Sequence, residues 1–417
     1  MLSSYICALD IGTSKIAAVV AQVKRRRLAN IHFETIPSKG IKKGMVVDSI
    51  DLIGSVGKAL GNLRLKSGIN IKYIYVNVSG QDITTKHSRA VIPLAERGNK
   101  VITASDIYRV NEQARILGSN LQEEIIHRIP VSYSIDSAAG IANPLGLYSH
   151  RLETDLYLIC GKLSSVQSLT RVINQAGFEI RELFLSCLAT SKVVFGKELK
   201  SGQNIFCDIG SDTTEIAVFN NGMLKSIEIL NLGADNLTRE LEENLRLTYD
   251  LAEDVKRSYG SVGDLSRISE DKEILVKKEN TYRPIRHKLV AEIINAKTKA
   301  ICQTIKDTVD RMADLNITNN FIVAGRGVLQ DGFIETLENI LGVPVKLGRI
   351  NDPELSSLVS ENENLSGQKY LTYLTCLGMI ICAMAGEEVL TAPSNMPPRS
   401  LLSKAINRFK EMYQEYF

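Results

Sequence analysis

Tyr5-Ile6-Cys7-Ala8-Leu9-Asp10-Ile11-Gly12-Thr13 returns in outline about half the chain later as Asn204-Ile205-Phe206-Cys207-Asp208-Ile209-Gly210-Ser211. Each is an apolar run ending in Asp-Ile-Gly, and each is followed by a second apolar run, Ile16–Val20 and Ile216–Phe219. Strand, acidic tight turn, strand therefore occurs twice. Two related lobes facing one ligand account for the repeat. A glycine directly after a strand lets main-chain N–H groups approach an anion closely. Thr13, Ser14, Ser211, Thr213 and Thr214 add hydroxyl donors, and Lys15 is placed to offset phosphate charge. Asp10 and Asp208 suit a hydrated Mg²⁺, which keeps several waters and bridges carboxylate to phosphate. Two unrelated hairpins with Asp-Gly turns would supply the same residue types. Their fall at matching places in two halves counts against that alternative. The second loop reads as two residues longer before its next strand, and it carries Asp212.

At 417 residues the chain can build two or more cores. Its 23% charged and 44% apolar residues are an ordinary globular balance. A net charge of +3 gives no case for nucleic acid, and the run Lys24-Arg25-Arg26-Arg27 reads as a solvated hairpin turn. No nucleic-acid partner is expected. The seven cysteines include no Cys-x-x-Cys pair, and three of them (Cys7, Cys160, Cys207) sit inside strand-like apolar runs. There they act as small hydrophobes. With no secretory signal read at the N-terminus, a reducing cytosol is the expected compartment. The five histidines show no metal-ligand spacing. The apolar stretch Leu371–Ala385 is shorter than the roughly 18 residues that span a bilayer and reads as a buried helix.

In the first lobe the pattern predicts strands at 5–10, 16–23 and 28–36. A helix at 49–66 carries Leu52, Val56, Leu60 and Leu63 at helical spacing, and a strand follows at 72–79. The second lobe repeats the opening from 204, then gives helices at 234–246, 251–259 and 289–313. Asn320–Ala324 is a strand running into Gly325-Arg326-Gly327, a turn that fits a nucleoside. Alone that signal is weak. Residues 80–165 have a different rhythm: strand 83–93, helix 104–117, strands 123–135 and 151–163. They read as an insertion.

Together these residues resemble the actin, heat-shock-chaperone and sugar-kinase superfamily, through the two Asp-x-Gly loops and Val323-Ala324-Gly325-Arg326-Gly327. Within it the chain resembles the FtsA family of bacterial cell-division proteins. That narrower match rests on Pro37–Gly44 with Val47-Asp48, on His127–Asp136, on Gly140–Gly146, on Ala252–Lys256 through Gly260, and on the chain end. The resemblance implies an α/β, actin-like two-lobe fold with duplicated mixed five-stranded sheets flanked by helices, plus an inserted α+β subdomain. The implied boundaries are 1–80 with 166–198 for the first lobe core and 81–165 for the insertion. The second lobe core takes 199–234 with 315–390, and its small subdomain takes 235–314. A linker at 391–400 and an amphipathic helix at 401–417 complete the chain. It also implies ATP and Mg²⁺ in the interlobe cleft, with protofilaments of the chain itself. The tubulin-like FtsZ would be recruited through its C-terminal peptide to the cytoplasmic face of the cell membrane at the division site, alongside other division-machinery membrane proteins.

Residue by residue, Asp10, Gly12, Thr13, Ser14 and Lys15 match the family's first phosphate loop, and Asp208, Gly210, Ser211, Thr213 and Thr214 the second. Gly325, Arg326 and Gly327 match the adenosine turn. Glu253, Lys256 and Arg257 match a segment that contacts ribose and adenine in the related chaperones. Two departures stand out: Gly210-Ser211-Asp212 where three glycines are usual, and Arg326 inside the adenosine turn. A carboxylate beside phosphates is unfavourable unless something offsets it. Hydrolysis needs a residue that places water in line with the terminal phosphate. Glu215 is the weak candidate, and a surface strand residue is its plain alternative. At most slow ATPase activity is expected.

At the chain end Leu401, Leu402, Ile406, Phe409, Met412, Tyr413, Tyr416 and Phe417 recur at three- and four-residue intervals, one apolar helical face. Lys404, Arg408 and Lys410 take other positions, with Glu411 and Glu415 among them. A core helix and a partner-docking helix are alternatives. The proline-rich tether before it favours an interfacial helix, its cations near anionic headgroups. One such helix binds modestly, and many on one filament bind by avidity. Among functions, a small-molecule kinase has no use for the tail. An actin-like inner-membrane component of a pilus or secretion system differs from the division scaffold only in its partners.

Overall fold

The computed structural model describes residues 4–385 apart from 25–26, 95–97, 137, 197–198, 200, 264, 270–271, 279–280, 361–364 and 366. The linker at 391–400 and the amphipathic segment at 401–417 lie outside the described residues. The first lobe opens with β1 (Ser4–Ile11), β2 (Lys15–Lys24) and β3 (Arg27–Pro37). A short hairpin follows, β4 (Ile41–Lys42) and β5 (Met45–Val46), then α1 (Ser49–Ser67) and β6 (Tyr73–Val78). After the insertion the lobe resumes with α3 (Leu163–Gln175), β13 (Glu179–Leu185) and α4 (Ser186–Phe195). The first sheet has the order β13-β6-β1-β2-β3, antiparallel from β1 through β3 and parallel from β1 through β13.

The second lobe carries β14 (Gln203–Ile209), β15 (Thr214–Asn220), β16 (Met223–Leu230), β19 (Thr318–Ala324) and β20 (Val345–Leu347). Their order, β20-β19-β14-β15-β16, repeats the first sheet strand for strand, with the same parallel and antiparallel pairs. The duplication read from the two Asp-Ile-Gly stretches is thus a duplication of whole sheets. Between β16 and β19 lie α5 (Asp235–Leu245), α6 (Tyr249–Tyr259), the hairpin β17 (Glu273–Lys278) and β18 (Thr281–Arg286), and α7 (His287–Met312). The remaining helices are α8 (Phe333–Leu341), α9 (Pro353–Ser360) and α10 (Leu374–Ala385).

Each core follows from its pattern. In α1, Leu52, Val56, Leu60 and Leu63 are fully buried against Leu9, Val20 and Val76 of the first sheet. Asp48 caps its N-terminus by accepting the Asp51 N–H, and left-handed Gly68 (φ 67°) ends it. In the second lobe Leu237, Ile305 and Leu337 pack on Ile205, Val218 and Val323. A separate cluster of Leu241, Val255, Ile274, Ile285 and Ile294 forms the core of the small subdomain. All seven cysteines are buried and none forms a disulfide, as suits small hydrophobes.

The insertion comprises β7 (Ile83–Pro93), β8 (Lys100–Val101), α2 (Ala104–Gly118), β9 (Glu123–Ile135), β10 (Ala138–Ile141), β11 (Tyr148–Ser149) and β12 (Arg151–Lys162). Residues 86–119 and 128–158 form a compact unit of their own. Its sheet has the order β10-β9-β12-β7. Thr103 and Asp106 build a capping box on α2. Inside, buried Asn111 accepts from Thr154 and donates to the Tyr133 hydroxyl, both at 2.9 Å, so this polar core is satisfied.

One boundary differs from expectation. Residues 315–390 are assigned by sequence to the second lobe, yet α10 packs on β1, β2 and β6 of the first sheet and on α4. Its sequence is apolar all round, so it needs burial on more than one side. A Cβ on Gly378 would lie 2.0 Å from the Ala189 carbonyl oxygen in α4, so only glycine permits this approach. Gly378→Ala is therefore expected to destabilise the protein by about 1–3 kcal/mol. A thermal melt checks this, and an unchanged midpoint contradicts the close α4–α10 contact.

Candidate functional site

The two tight turns are equal in length. Ile11 pairs with Ile16 and Ile209 with Thr214, so each register encloses the same span. Each closes in the same way, Gly12 N–H on the Lys15 carbonyl at 3.0 Å and Gly210 N–H on the Thr213 carbonyl at 2.9 Å. The expected two-residue excess in the second loop is corrected. Thr214 and Glu215 are polar, which hid the start of β15, but both lie within the strand and are buried.

Both loops line one cleft, with Asp10, Gly12, Thr13, Ser14 and Lys15 on one side and Asp208, Gly210, Ser211 and Thr213 on the other. Gly325 and Arg326 line it as well. The third turn comes close because Gly325 has φ 86° and no side chain: a Cβ there would lie 2.3 Å from the Ile209 carbonyl oxygen and 2.5 Å from Asp208 Oδ1. Gly327 is not in the cleft wall; it packs on Ile209, where a Cβ would sit 2.6 Å from Cγ2. Thr214 is also outside the wall, its hydroxyl donated to the Leu232 carbonyl at 2.8 Å.

Asp10 is held from behind by a residue that the sequence reading passed over. Asn77, buried in β6, donates through Nδ2 to Asp10 Oδ1 at 2.8 Å and to Ser186 Oγ at 3.0 Å. Its Oδ1 accepts the Ile11 N–H at 2.7 Å. The one available signal is a polar residue at an inward position of Tyr-Ile-Tyr-Val-Asn-Val. Lys15 Nζ stands 3.5 Å from Asp10 Oδ2 and also donates to the Thr372 carbonyl.

Glu215 is the residue directly across from Asp208 in the β14–β15 register, where the first lobe has Ala17 opposite Asp10. It is 3% exposed, which excludes the surface reading. Its Oε2 accepts the Cys187 N–H at 2.8 Å, and its Oε1 is buried with no hydrogen-bond partner. Like charges directly opposite on a sheet repel. Burial, then repulsion from Glu215 and Asp10, pushes the Asp208 carboxyl up to about 7 against the pull of Lys15. Burial raises Glu215 to about 6, against the bond from the Cys187 N–H. Asp10 is raised too, by burial opposed by Lys15. An orphaned buried carboxylate oxygen amid like charges fits a site for a cation. Among the described residues no three metal-ligating side chains gather closely enough to hold an ion directly. The arrangement therefore suits a hydrated Mg²⁺ that takes its other ligands from water and phosphate.

Glu253, Lys256 and Arg257 form a network away from the cleft wall. Glu253 accepts from Thr238 at 2.6 Å, from Lys256 at 2.5 Å and from Arg257 at 2.7 Å. Burial pushes its carboxyl up, but these bonds outweigh it and hold it at about 2. Lys256 is buried, which lowers it, and its Nζ reaches the Ala234 carbonyl at 3.2 Å. The Ala234 and Asp235 N–H groups in turn bond the Gly210 and Ser211 carbonyls. Lys256 thereby braces the second loop through the start of α5.

The raised carboxyls have a consequence for metal-free protein. At acid pH they are protonated in folded and unfolded chains alike. As pH rises, the unfolded chain loses these protons near pH 4, whereas Asp208 and Glu215 in the folded chain keep theirs to about 7 and about 6. The folded state binds more protons across this window, so stability falls as pH rises through it. Thermal melts in chelator should show that fall, and Asp208→Asn should remove most of it. A flat profile contradicts the assignment.

Two family models match the chain. "Cell division protein FtsA" matches residues 205–367, and "SHS2 domain inserted in FTSA" matches residues 80–160. Together they span more than half of it. A cell division protein FtsA of Neisseria meningitidis is 28% identical over 94% of this chain and 93% of its own length. That of Borreliella burgdorferi is 28% identical over 84% and 85%. Among solved structures, a PilM–PilN type IV pilus biogenesis complex superposes with a TM-score of 0.63 at 14% identity, covering 91% of this chain and 98% of that one. MreB5 of Spiroplasma citri bound to ADP gives 0.52 at 11% identity, covering 91% and 96%. At such identities these two likenesses speak for the actin-like fold alone. With the duplicated sheets, the insertion and full-length relatives in agreement, the chain belongs to the FtsA family of cell-division proteins, with an actin-like fold.

Proposed function

We propose that the protein binds ATP with Mg²⁺ in the cleft between its lobes, polymerises, and tethers FtsZ to the cytoplasmic face of the membrane at the division site. The observation that carries the nucleotide reading is the pair of equal acidic turns facing one cleft, with Glu215 Oε1 buried and unpartnered between them. Main-chain N–H groups, hydroxyls and Lys15 suit the phosphates, and Asp10 and Asp208 would hold the hydrated cation. Arg326, in the cleft wall, would either meet the nucleoside or point to solvent. Glu253, Lys256 and Arg257 would act on it through the second loop or by direct contact with ribose and adenine.

For FtsZ, family membership supports the reading, and the small subdomain offers a surface. The outer face of the β17–β18 hairpin exposes Leu275 (65%) and Tyr282 (64%), and Leu275 pairs across the strands with Pro284. An apolar peptide flanked by acidic groups would find both contact types near Arg286. The tail at 401–417 supports the membrane part by its sequence pattern. No helix among the described residues is long and apolar enough to cross a membrane.

Three outcomes follow. A pull-down with the C-terminal peptide of FtsZ from the same organism should retain the protein, and Leu275→Asp with Tyr282→Ala should weaken it by about tenfold or more. Capture of a pilus-assembly peptide in its place would favour the secretion-type reading. Liposomes with anionic lipid should sediment the full chain and not a chain ending at Pro398; equal pelleting removes the tether. Glu215, with an unpartnered oxygen and a carboxyl near 6, would be the group to orient water. Glu215→Gln should slow any ATP turnover by roughly 100-fold. Unchanged turnover assigns that role elsewhere.

A further inference from the structure

Asp212, where a glycine is usual, has a partner that the sequence gives no sign of. The backbone N–H of Lys43 donates to Asp212 Oδ2 at 3.0 Å, and Asp212 is only 6% exposed. Lys43 and Gly44 are the two residues between β4 and β5, with φ of 50° and 78°. A type I′ hairpin needs both positive. Its tip is wedged in the first lobe. A Cβ on Gly44 would lie 2.0 Å from the Ser79 carbonyl oxygen, and one on Gly80 2.1 Å from that of Lys43. A non-glycine residue at positive φ persists only where its surroundings fix it.

Each end of this hydrogen bond is tied to a helix. The hairpin closes with the Val47 and Asp48 N–H groups on the Gly40 carbonyl, and Asp48 caps α1. The loop carrying Asp212 is joined to α5 by the Asp235 N–H on the Ser211 carbonyl at 2.8 Å. One charge-assisted bond therefore links α1 of the first lobe to α5 of the second. A glycine in place of Asp212 has no group to make it.

We propose that Asp212 is a positioning residue of the nucleotide site: its carboxylate pins the hairpin of the first lobe to the second phosphate loop. The two loops are thereby held at their working separation before nucleotide arrives. This rests on the reading of the cleft as a nucleotide site. The carboxylate also repels phosphate, so its two effects on binding oppose each other and can be separated. Asp212→Asn keeps an acceptor oxygen and removes the charge. Asp212→Gly removes both, and Asp212→Ala does the same should the glycine variant fail to fold.

The test uses the full chain with nitroxide labels at Lys58→Cys on α1 and Glu243→Cys on α5, both exposed. The seven native cysteines are buried and should not compete for label. Pulsed EPR without nucleotide should give one narrow distance for the wild type and Asp212→Asn, and a broadened one for Asp212→Gly and Asp212→Ala. Mg·ATP should restore the narrow distance in the broadened variants. Asp212→Asn should also bind Mg·ATP about tenfold tighter than Asp212→Gly, the worth of one hydrogen bond to a fixed acceptor. A nucleotide-free distribution in both pin-less variants that superimposes on the wild type overturns the pin. Broadening that Mg·ATP fails to reverse leaves the pin standing and removes the nucleotide reading.

Discussion

Repulsion among buried carboxylates governs this molecule. Asp10 and Asp208 end the central strands of two matching sheets, and Glu215 sits directly across from Asp208. Two unit charges 4 Å apart repel by about 4 kcal/mol at an effective dielectric of about 20. A fold that buries three such groups around one cleft, with Lys15 their nearest cation, must keep some of them protonated or draw in a counter-charge. The first course costs stability as pH rises. The second makes ligand and fold mutually dependent, because a cation offsets the repulsion among the carboxylates.

The duplication makes this arrangement possible and also makes it unequal. Equivalent register positions carry Lys15 in the first loop and Thr213 in the second, and Ala17 in the first sheet against Glu215 in the second. The positive charge therefore belongs to the first lobe and the excess negative charge to the second. Asn77 orients Asp10 from within the first sheet, while Lys256 holds the second loop from outside its sheet through the start of α5. Because α10 returns to pack on the first sheet, the chain crosses between lobes more than once. Any change in lobe separation is then felt by both cores.

Much of this was legible in the residues. The repeated Asp-Ile-Gly placed both turns, and the helical spacing of Leu52, Val56, Leu60 and Leu63 placed α1 within a residue of its ends. The insertion showed itself by a change of rhythm. The misses have physical causes. Thr214 and Glu215 are strand residues without apolar character, so the start of β15 was misplaced and the burial of Glu215 was hidden. Asn77 and Lys43 act through contacts 66 and 169 residues away along the chain, which no local pattern encodes. A lysine in a family motif does not announce that, like Lys256, it is buried against Glu253. Nor does an apolar helix such as α10 say which sheet it will cover.

Whether the two acidic turns hold one cation and one nucleotide between them is decided by the equilibrium affinity for ATP in excess Mg²⁺ and in chelator, for the wild type and for Asp208→Ala. The account predicts binding in Mg²⁺, a loss of at least about tenfold in chelator, and a smaller dependence on Mg²⁺ once the carboxylate is gone. Absence of binding in both conditions, or an affinity indifferent to Mg²⁺ and to Asp208, would contradict it.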